Sequence, residues 1–317
     1  MIQIQGLCKR FRHFEALHDV SFSVPDGSAF ALIGANGAGK TTCIKILMNI
    51  LEPTRGKATV LGVDSRRISP RELNQIGYVS ENQEMPGRLS VAEFFDYLRP
   101  FYEHWDRGLE TDIRRQLNLP PDRKIGNLSH GMRMKMALAC ALPFRPKLLV
   151  LDEPFNGLDP LVRDEFMEGL LHQAGEMTIF ISSHELQEIE GVASHLAFLD
   201  EGRLLFVEPM VDLNERFREV HVTFEQEATL PRNAPREWLR LQARGNVLSF
   251  VDTQFSENTL TEQIESVAGT PKRVDAQPMP LRSIFTTLAR AARNGDMGNP
   301  IVWSRGDAVR AAEMRTG

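Results

Sequence analysis

Cysteine and long apolar runs are both scarce in this sequence. The 317 residues contain three cysteines, Cys8, Cys43 and Cys140, and an odd number at such wide spacing fits reduced thiols in the cytosol better than a disulfide framework. No run approaches the ~18 consecutive apolar residues of a membrane-spanning helix, and residues 1–9 lack the apolar core of a signal peptide. We therefore expect neither a secreted protein nor an integral membrane protein.

An excess of basic residues is also missing. The chain has 37 Lys and Arg against 42 Asp and Glu, a formal net charge of -5, whereas proteins that bind nucleic acid mainly through phosphates carry a basic excess. Hydrophobic residues make up 42% and charged residues 25%, near the averages of soluble globular domains. At roughly 150 residues per domain, the length suggests about two domains. We predict a folded chain whose partners do not include nucleic acid.

Short apolar runs alternate with helical patterns through the first two thirds of the chain. The runs read as buried strands, at 29–33, 148–151 and 178–181, and the helical patterns lie at 40–51 and 161–173. This alternation predicts an α/β domain with a parallel sheet, which we place at 1–214.

The pattern changes in the last third. Two strand-like segments, 220–224 and 247–251, precede helical segments at 260–268 and 281–292, and we predict a small α+β domain over 215–292. The polar residues 293–317 read as a flexible tail. Within the last helical segment, apolar residues recur at helical spacing, at Leu281, Ile284, Phe285 and Leu288. Packing onto its own domain is the simpler interpretation, and a dimer or membrane-surface contact is the alternative.

A glycine-rich segment between a predicted strand and a predicted helix matches the phosphate-binding loop. Glycines let backbone N–H groups turn toward phosphates, Lys40 supplies a point charge, and Thr41 offers a hydroxyl to Mg²⁺. A plain glycine-rich turn is the alternative. The residues that this loop would place around a nucleotide are Gly34, Asn36, Gly37, Ala38, Gly39, Lys40, Thr41 and Thr42.

Two acids end the apolar segment at 148–151. Next to a phosphate loop, Asp152 would hold Mg²⁺ and Glu153 would polarise the attacking water. Taken alone, such a segment also fits a strand that runs into a solvated turn. The loop upstream favours the catalytic interpretation.

Three further elements identify the kind of phosphate-loop protein. Residues 128–132, Leu-Ser-His-Gly-Met, resemble the signature motif of ABC-type ATPases, residues 157–159 resemble the D-loop, and His184 resembles the switch histidine. The resemblance covers about residues 2–212. It implies a P-loop NTPase fold of the ABC type with a helical subdomain at about 82–145.

The resemblance also implies roles for individual residues. In the ABC family two such domains dimerise head to tail around two ATP molecules, so Ser129 and Gly131 would bind the γ-phosphate held by the opposite subunit. Asp159 would act across the dimer, and His184 would contact the γ-phosphate and the attacking water. Phe11 would stack on adenine; the alternative is that Phe11 and its neighbour Phe14 are core residues of a strand face.

The sequence departs from the family pattern at the signature and at the lid. His130 and Met132 stand where glycine and glutamine are commonest, and Glu81 stands where a metal-contacting lid glutamine is expected. We assign Glu81 to the metal site; the alternative is that Glu81 is a solvated loop charge and that Gln83 is the lid residue.

The resemblance implies an ATP-hydrolysing subunit of an ABC transporter that uses ATP and Mg²⁺. Its partners would be a second nucleotide-binding domain and a transmembrane permease on a separate chain, at the cytoplasmic face of the membrane. A single nucleotide-binding domain with a small C-terminal domain resembles prokaryotic exporter systems. One alternative is a non-transport ABC ATPase that acts on DNA ends or ribosomes; the absence of a long coiled-coil insertion between 40 and 129 disfavours the DNA type, and the single nucleotide-binding domain disfavours the ribosome type. The other alternative is a weakly hydrolysing regulator, which Glu153 and His184 disfavour.

Overall fold

The computed structural model describes residues 1–174 and 177–294 and divides the chain into two compact units. The first unit is Met1–Val207, and the second begins at Glu208. The domain bounds expected from the sequence, 1–214 and 215–292, remain a prediction. The tail expected at 293–317 lies outside the described residues from 295 onward.

The first unit contains two sheets and a group of helices. Its strands are β1 (Ile2–Phe11), β2 (Phe14–Val24), β3 (Ala29–Ile33), β4 (Arg55–Val60), β5 (Val63–Asp64), β6 (Ile76–Ser80), β7 (Leu148–Asp152), β8 (Thr178–Ser183), β9 (His195–Asp200) and β10 (Arg203–Pro209), the last of which continues to the start of the second unit. Its helices are α1 (Lys40–Leu47), α2 (Pro70–Leu73), α3 (Val91–Leu98), α4 (Arg107–Gln116), α5 (His130–Ala141) and α6 (Pro160–Ala174).

The central sheet has the strand order β10-β9-β3-β8-β7-β6, and β3, β6, β7, β8 and β9 pair in parallel. Every residue of β7 and β8 is buried, as expected of parallel strands covered on both faces. The register aligns Ile33 with Ser183, and it aligns Asp152 with both Ser80 and Ser182. The loops that follow these strands therefore meet at one edge of the sheet, where α/β proteins bind ligands.

A second, antiparallel sheet has the order β2-β1-β4-β5. Phe22 of β2 stacks on Phe30 of β3 and on Phe180 of β8, with ring centroids 5.4 and 6.2 Å away. These rings belong to a continuous buried core that also includes α1 residues. The core fixes β3 and β8, whose ends carry the candidate site.

Helices α3, α4 and α5 lie between β6 and β7 in the chain. Ser90 and Glu93 form a capping box that starts α3. The buried carboxylate of Glu110 in α4 accepts hydrogen bonds from Arg99 and from the Trp105 indole, each at 2.8 Å. A buried charge needs such partners, so this cluster ties α4 to the end of α3.

Two helical boundaries differ from those expected. The helix expected at 40–51 ends at Leu47, because the backbone of Asn49 takes a φ of 55° that a right-handed helix cannot contain. The helix expected at 161–173 runs from Pro160 to Ala174. None of the helices in 1–174 and 177–294 is both long and apolar enough to cross a membrane.

The second unit is an antiparallel sheet with helices, as the α+β prediction requires. Its elements are α7 (Met210–Arg216), β11 (Arg218–Thr223), β12 (Trp238–Arg244), β13 (Val247–Asp252), α8 (Glu257–Ala268), β14 (Arg273–Pro278) and α9 (Leu281–Asn294). The strand order is β12-β13-β11-β14, and Trp238 stacks on Phe250 at 3.9 Å between centroids. The apolar stripe of α9 is buried at Leu281, Ile284, Phe285 and Leu288, which favours packing within the chain over a dimer or membrane contact.

Candidate functional site

The phosphate loop joins β3 to α1 and depends on glycine for its shape. Gly37 and Gly39 have φ values of 85° and 105°, in the left-handed region that glycine adopts without strain. A Cβ added at Gly34 would lie 2.2 Å from the carbonyl oxygen of Leu199, so no side chain fits there. The other expected loop residues, Asn36, Ala38 and Thr42, lie in the same turn or the first turn of α1.

Lys40 links the loop to the acids of β7. Its side chain is 4% exposed, and its Nζ donates to the carbonyl oxygens of Gly34 at 2.6 Å and Ala35 at 3.1 Å. The same Nζ lies 2.9 Å from Oε1 of Glu153. The structure therefore brings together Lys40 and Glu153, the residue that follows β7, which sequence reasoning assigned to one site.

Asp152 accepts hydrogen bonds from two hydroxyl groups. Thr41 Oγ1 donates to Asp152 Oδ1 at 3.1 Å, and Ser182 Oγ donates to the same oxygen at 2.7 Å. Burial raises the pKa of Asp152, and the adjacent Glu153 carboxylate adds to the rise. Carboxylate and hydroxyl oxygens are hard donors of the kind that Mg²⁺ prefers, so Thr41 and Asp152 fit a magnesium ion.

Glu153 lies between two potential cations. Its Oε1 contacts Lys40, and its Oε2 lies 2.8 Å from Nδ1 of His184, which follows the end of β8. The backbone of Glu153 has a φ of 50°, and its N–H donates to Ser182 Oγ at 2.9 Å. A non-glycine residue in this region is strained, and such strain concentrates at functional sites. The carboxylate is buried and oriented, as a group that polarises water must be.

The signature and D-loop residues have local structural roles. Ser129 caps α5 by accepting from Met132 N at 3.2 Å, and Asp159 caps α6 by accepting from Val162 N at 3.0 Å. A Cβ added at Gly131 would lie 2.9 Å from Val162 Cγ1, so the approach of α6 already favours glycine there. The contacts of these three residues with a nucleotide in an opposite subunit stay predictions.

Phe11 and Phe14 flank the turn between β1 and β2. Their side chains are 43% and 62% exposed, so the alternative that they are core residues is wrong. Lys9 Nζ lies 5.0 Å from the centroid of the Phe11 ring. Stacking of this ring on adenine stays a prediction.

The two candidate lid residues follow β6. Glu81 Oε1 accepts a hydrogen bond from the side-chain amide of Asn156, and Gln83 Oε1 accepts from Ser80 N at 3.4 Å. Among the hydrogen bonds of the described residues, neither side chain reaches Thr41 or Asp152, so the assignment of Glu81 to the metal site stays a prediction.

Sequence reasoning missed Ser182 and Asn156. Ser182 lies just after the segment expected at 178–181, and Asn156 lies between Glu153 and the segment 157–159. Neither carries a motif of its own, because each makes its contact far away along the chain: Ser182 with Asp152, and Asn156 with Glu81. The parallel register could have indicated Ser182, since β8 places it beside Asp152. No sequence signal indicated Asn156.

Comparisons with known proteins identify the family of this chain. The sequence profile of the ABC transporter family matches residues 17–156. The lantibiotic transport ATP-binding protein SrtF of Streptococcus pyogenes is 34% identical, over 69% of this chain and 95% of its own. The ABC transporter ATP-binding protein YtrB of Bacillus subtilis is 27% identical, over 73% of this chain and 79% of its own.

Solved structures give the same result. An ATP-binding subunit of an ABC transporter matches with a TM-score of 0.61 and 27% identity, over 68% of this chain and 92% of its own. A dimeric ATP-binding cassette bound to ADP and Pi, 20% identical, shares the fold with a TM-score of 0.59, over 66% of this chain and 99% of its own. The chain therefore belongs to the ABC transporter family, as one of its ATP-binding, ATP-hydrolysing subunits.

Proposed function

We propose that this chain hydrolyses Mg²⁺-bound ATP at the edge of the central sheet and powers a permease carried on a separate chain. The observation that carries the proposal is the buried Glu153 carboxylate, held between Lys40 Nζ at 2.9 Å and His184 Nδ1 at 2.8 Å. Thr41 and Asp152 would hold the magnesium ion, with Glu81 joining them on closure of the lid. Bound there, the ion would neutralise charge that develops on the phosphates.

Each residue of the site would have its own role. Lys40, whose donors now face two loop carbonyls and Glu153, would turn to the phosphates when a nucleotide enters. That movement would free the Glu153 carboxylate to orient water and accept its proton. His184 would keep Glu153 in place and contact the γ-phosphate. In a head-to-tail dimer, Ser129 and Gly131 of the second subunit would close the site.

The helical subdomain offers a surface for the permease. Tyr97 in the last turn of α3 and Phe101 just after this helix are 54% and 60% exposed, and their rings meet edge to face with centroids 5.3 Å apart. A cavity of about 410 Å³ nearby is lined by Tyr102 and Phe144 together with Arg71 of α2. Exposed aromatic clusters of this kind mark protein contacts. The transport functions named for the relatives support the same assignment, which would place the chain at the cytoplasmic face of the membrane.

Permease docking can be tested by co-purification. The candidate partner is a neighbouring reading frame with several runs of at least ~18 apolar residues. We expect a Tyr97→Ala, Phe101→Ala double variant to lose co-purification and partner-stimulated hydrolysis but to keep basal hydrolysis. Leu230→Ala, at an exposed apolar side chain of the second unit, is the control. Undiminished co-purification of the double variant would refute this docking surface.

A further inference from the structure

Two residues that depart from the family pattern contact the same third residue. His130 Nε2 lies 3.0 Å from the main-chain oxygen of Asn156, and the side-chain Nδ2 of Asn156 bonds to Oε1 of Glu81. Asn156 thus lies between the signature motif and the lid, and both contacts are within one chain. The mechanism above uses neither contact.

The chemistry of each pair fixes its direction. A carbonyl oxygen only accepts, so Nε2 of His130 must carry the proton and donate it to Asn156. The Glu81 carboxylate, when ionised, also only accepts, so the amide nitrogen of Asn156 must face it. A glycine at position 130, the commonest family residue, could not make the first bond.

The loop around Asn156 is itself held in place. Asn156 N donates to the carbonyl oxygen of Glu153 at 3.2 Å, which closes a turn directly after the catalytic candidate. The His130 ring also lies close to Gly157, where an added Cβ would be 3.7 Å from His130 Cδ2. Glu81 is therefore tied to the loop that starts at Glu153, through a hydrogen bond to a charged acceptor, which is stronger than a neutral one.

We propose that Asn156 is a positioning residue that fixes Glu81 of the lid, and that His130 in turn fixes Asn156. This inference rests on the lid role proposed for Glu81. The lid can move toward the metal only when the bond between Asn156 and Glu81 breaks, so Asn156 controls the cost of that movement. The signature motif is thereby coupled to the lid within one subunit.

Hydrogen exchange of the nucleotide-free protein tests the contact without relying on activity. Asn156→Ala and Glu81→Ala should each speed exchange of the backbone amides at 81–89, by about tenfold. The double variant should show no further increase, because both substitutions remove the same bond. His130→Gly should also speed exchange at 81–89, because it removes the donor to Asn156. His130→Gln keeps a side-chain donor, so its exchange rate should stay close to that of the wild type. Asn233→Ala, at an exposed residue of the second unit, is the control.

Kinetics test the consequence for catalysis. Asn156→Ala should change kcat and the Mg²⁺ concentration for half-maximal rate, with KM for ATP unchanged within about twofold, and it should have no effect in a Glu81→Ala background. Unchanged exchange at 81–89 in Asn156→Ala, or effects that multiply in the double variant, would overturn the inference. Faster exchange in Glu81→Ala with wild-type turnover would instead refute only the proposed lid role of Glu81.

Discussion

The exposed ring of Phe11 has no structural need to be aromatic, because it is not part of the core. If it stacks on adenine, Phe11→Ala should weaken ATP binding by about 1–3 kcal/mol, the range measured for stacking of bases on aromatic side chains. Phe11→Tyr should leave ATP affinity nearly unchanged, since it keeps the aromatic ring. Isothermal titration with ATP measures both variants.

Phe14 provides the matched control for this prediction. It faces Phe11 across the same turn and is more exposed. We expect Phe14→Ala to leave ATP affinity unchanged. Equal losses of affinity in the two alanine variants would indicate that the turn itself is damaged, and an unchanged affinity in Phe11→Ala would refute stacking.

At the scale of elements, the segment after β6 contains Glu81, one of the residues that depart from the family pattern. Glu81→Gln keeps the oxygen that accepts from Asn156 but removes the negative charge that the proposed lid role would bring near the γ-phosphate. We expect this variant to retain substantial ATPase activity and to need less Mg²⁺ for half-maximal rate. Glu81→Ala should still bind ATP but lose stimulation by the permease. Phosphate release measured against Mg²⁺ concentration, with and without the permease, tests both expectations.

Gln83 is the competing lid residue. Its side chain bonds to Ser80 N at the end of β6, so it supports the local turn in the present conformation. Gln83→Ala should therefore keep its Mg²⁺ dependence and its stimulation by the permease. A wild-type response in Glu81→Ala together with a defect in Gln83→Ala would transfer the lid role to Gln83.

The second unit contains a buried carboxyl group, Asp252, whose ionisation makes the stability of the fold depend on pH. Burial raises the pKa of Asp252 from 3.8 to about 6, with a further rise from Glu237. Because the pKa of Asp252 is higher in the folded state than in the unfolded state, protonation of this group stabilises the fold. That stabilisation is complete below pH 3.8 and is lost as the pH rises through about 6. The buried carboxylate is therefore a cost to stability at neutral pH.

Asp252→Asn should remove this cost, because an amide stays neutral and can still accept from Gln254 N. At pH 7.5 the free energy of unfolding should increase by up to about 3 kcal/mol, and at pH 4 the advantage should vanish. Urea unfolding at the two pH values measures the difference, with Glu257→Gln at an exposed position as the control. A variant no more stable than wild type at pH 7.5 would contradict the prediction.

Strands and helices were predictable from the sequence where a single local pattern, such as a continuous apolar run, identifies the element. Strand β3 has the expected bounds because its residues are continuously apolar and the loop after it is marked by glycines. Strands β12 and β14 escaped prediction since they lie at the edges of their sheet and carry exposed polar residues at many positions. Motifs were enough to place Lys40 and Glu153 in one site, whereas the contacts of Asn156 depend on packing between distant segments.

At the scale of the whole molecule, the phosphate loop, the acids of β7 and His184 meet within one chain. Among the hydrogen bonds of residues 1–174 and 177–294, none joins Ser129 or Gly131 to the phosphate loop, and in our proposal these two residues act on a nucleotide bound to a second subunit. Hydrolysis should therefore depend on protein concentration in the range where the subunits associate.

The most direct measurement is phosphate release together with ATP binding for wild type, Glu153→Gln and Lys40→Ala. The amide of Glu153→Gln keeps the shape of the site but cannot accept a proton from water, so we predict that turnover is lost while ATP still binds. Lys40→Ala should instead lose ATP affinity, because the phosphates lose their cation. Near-normal phosphate release by Glu153→Gln would contradict the account.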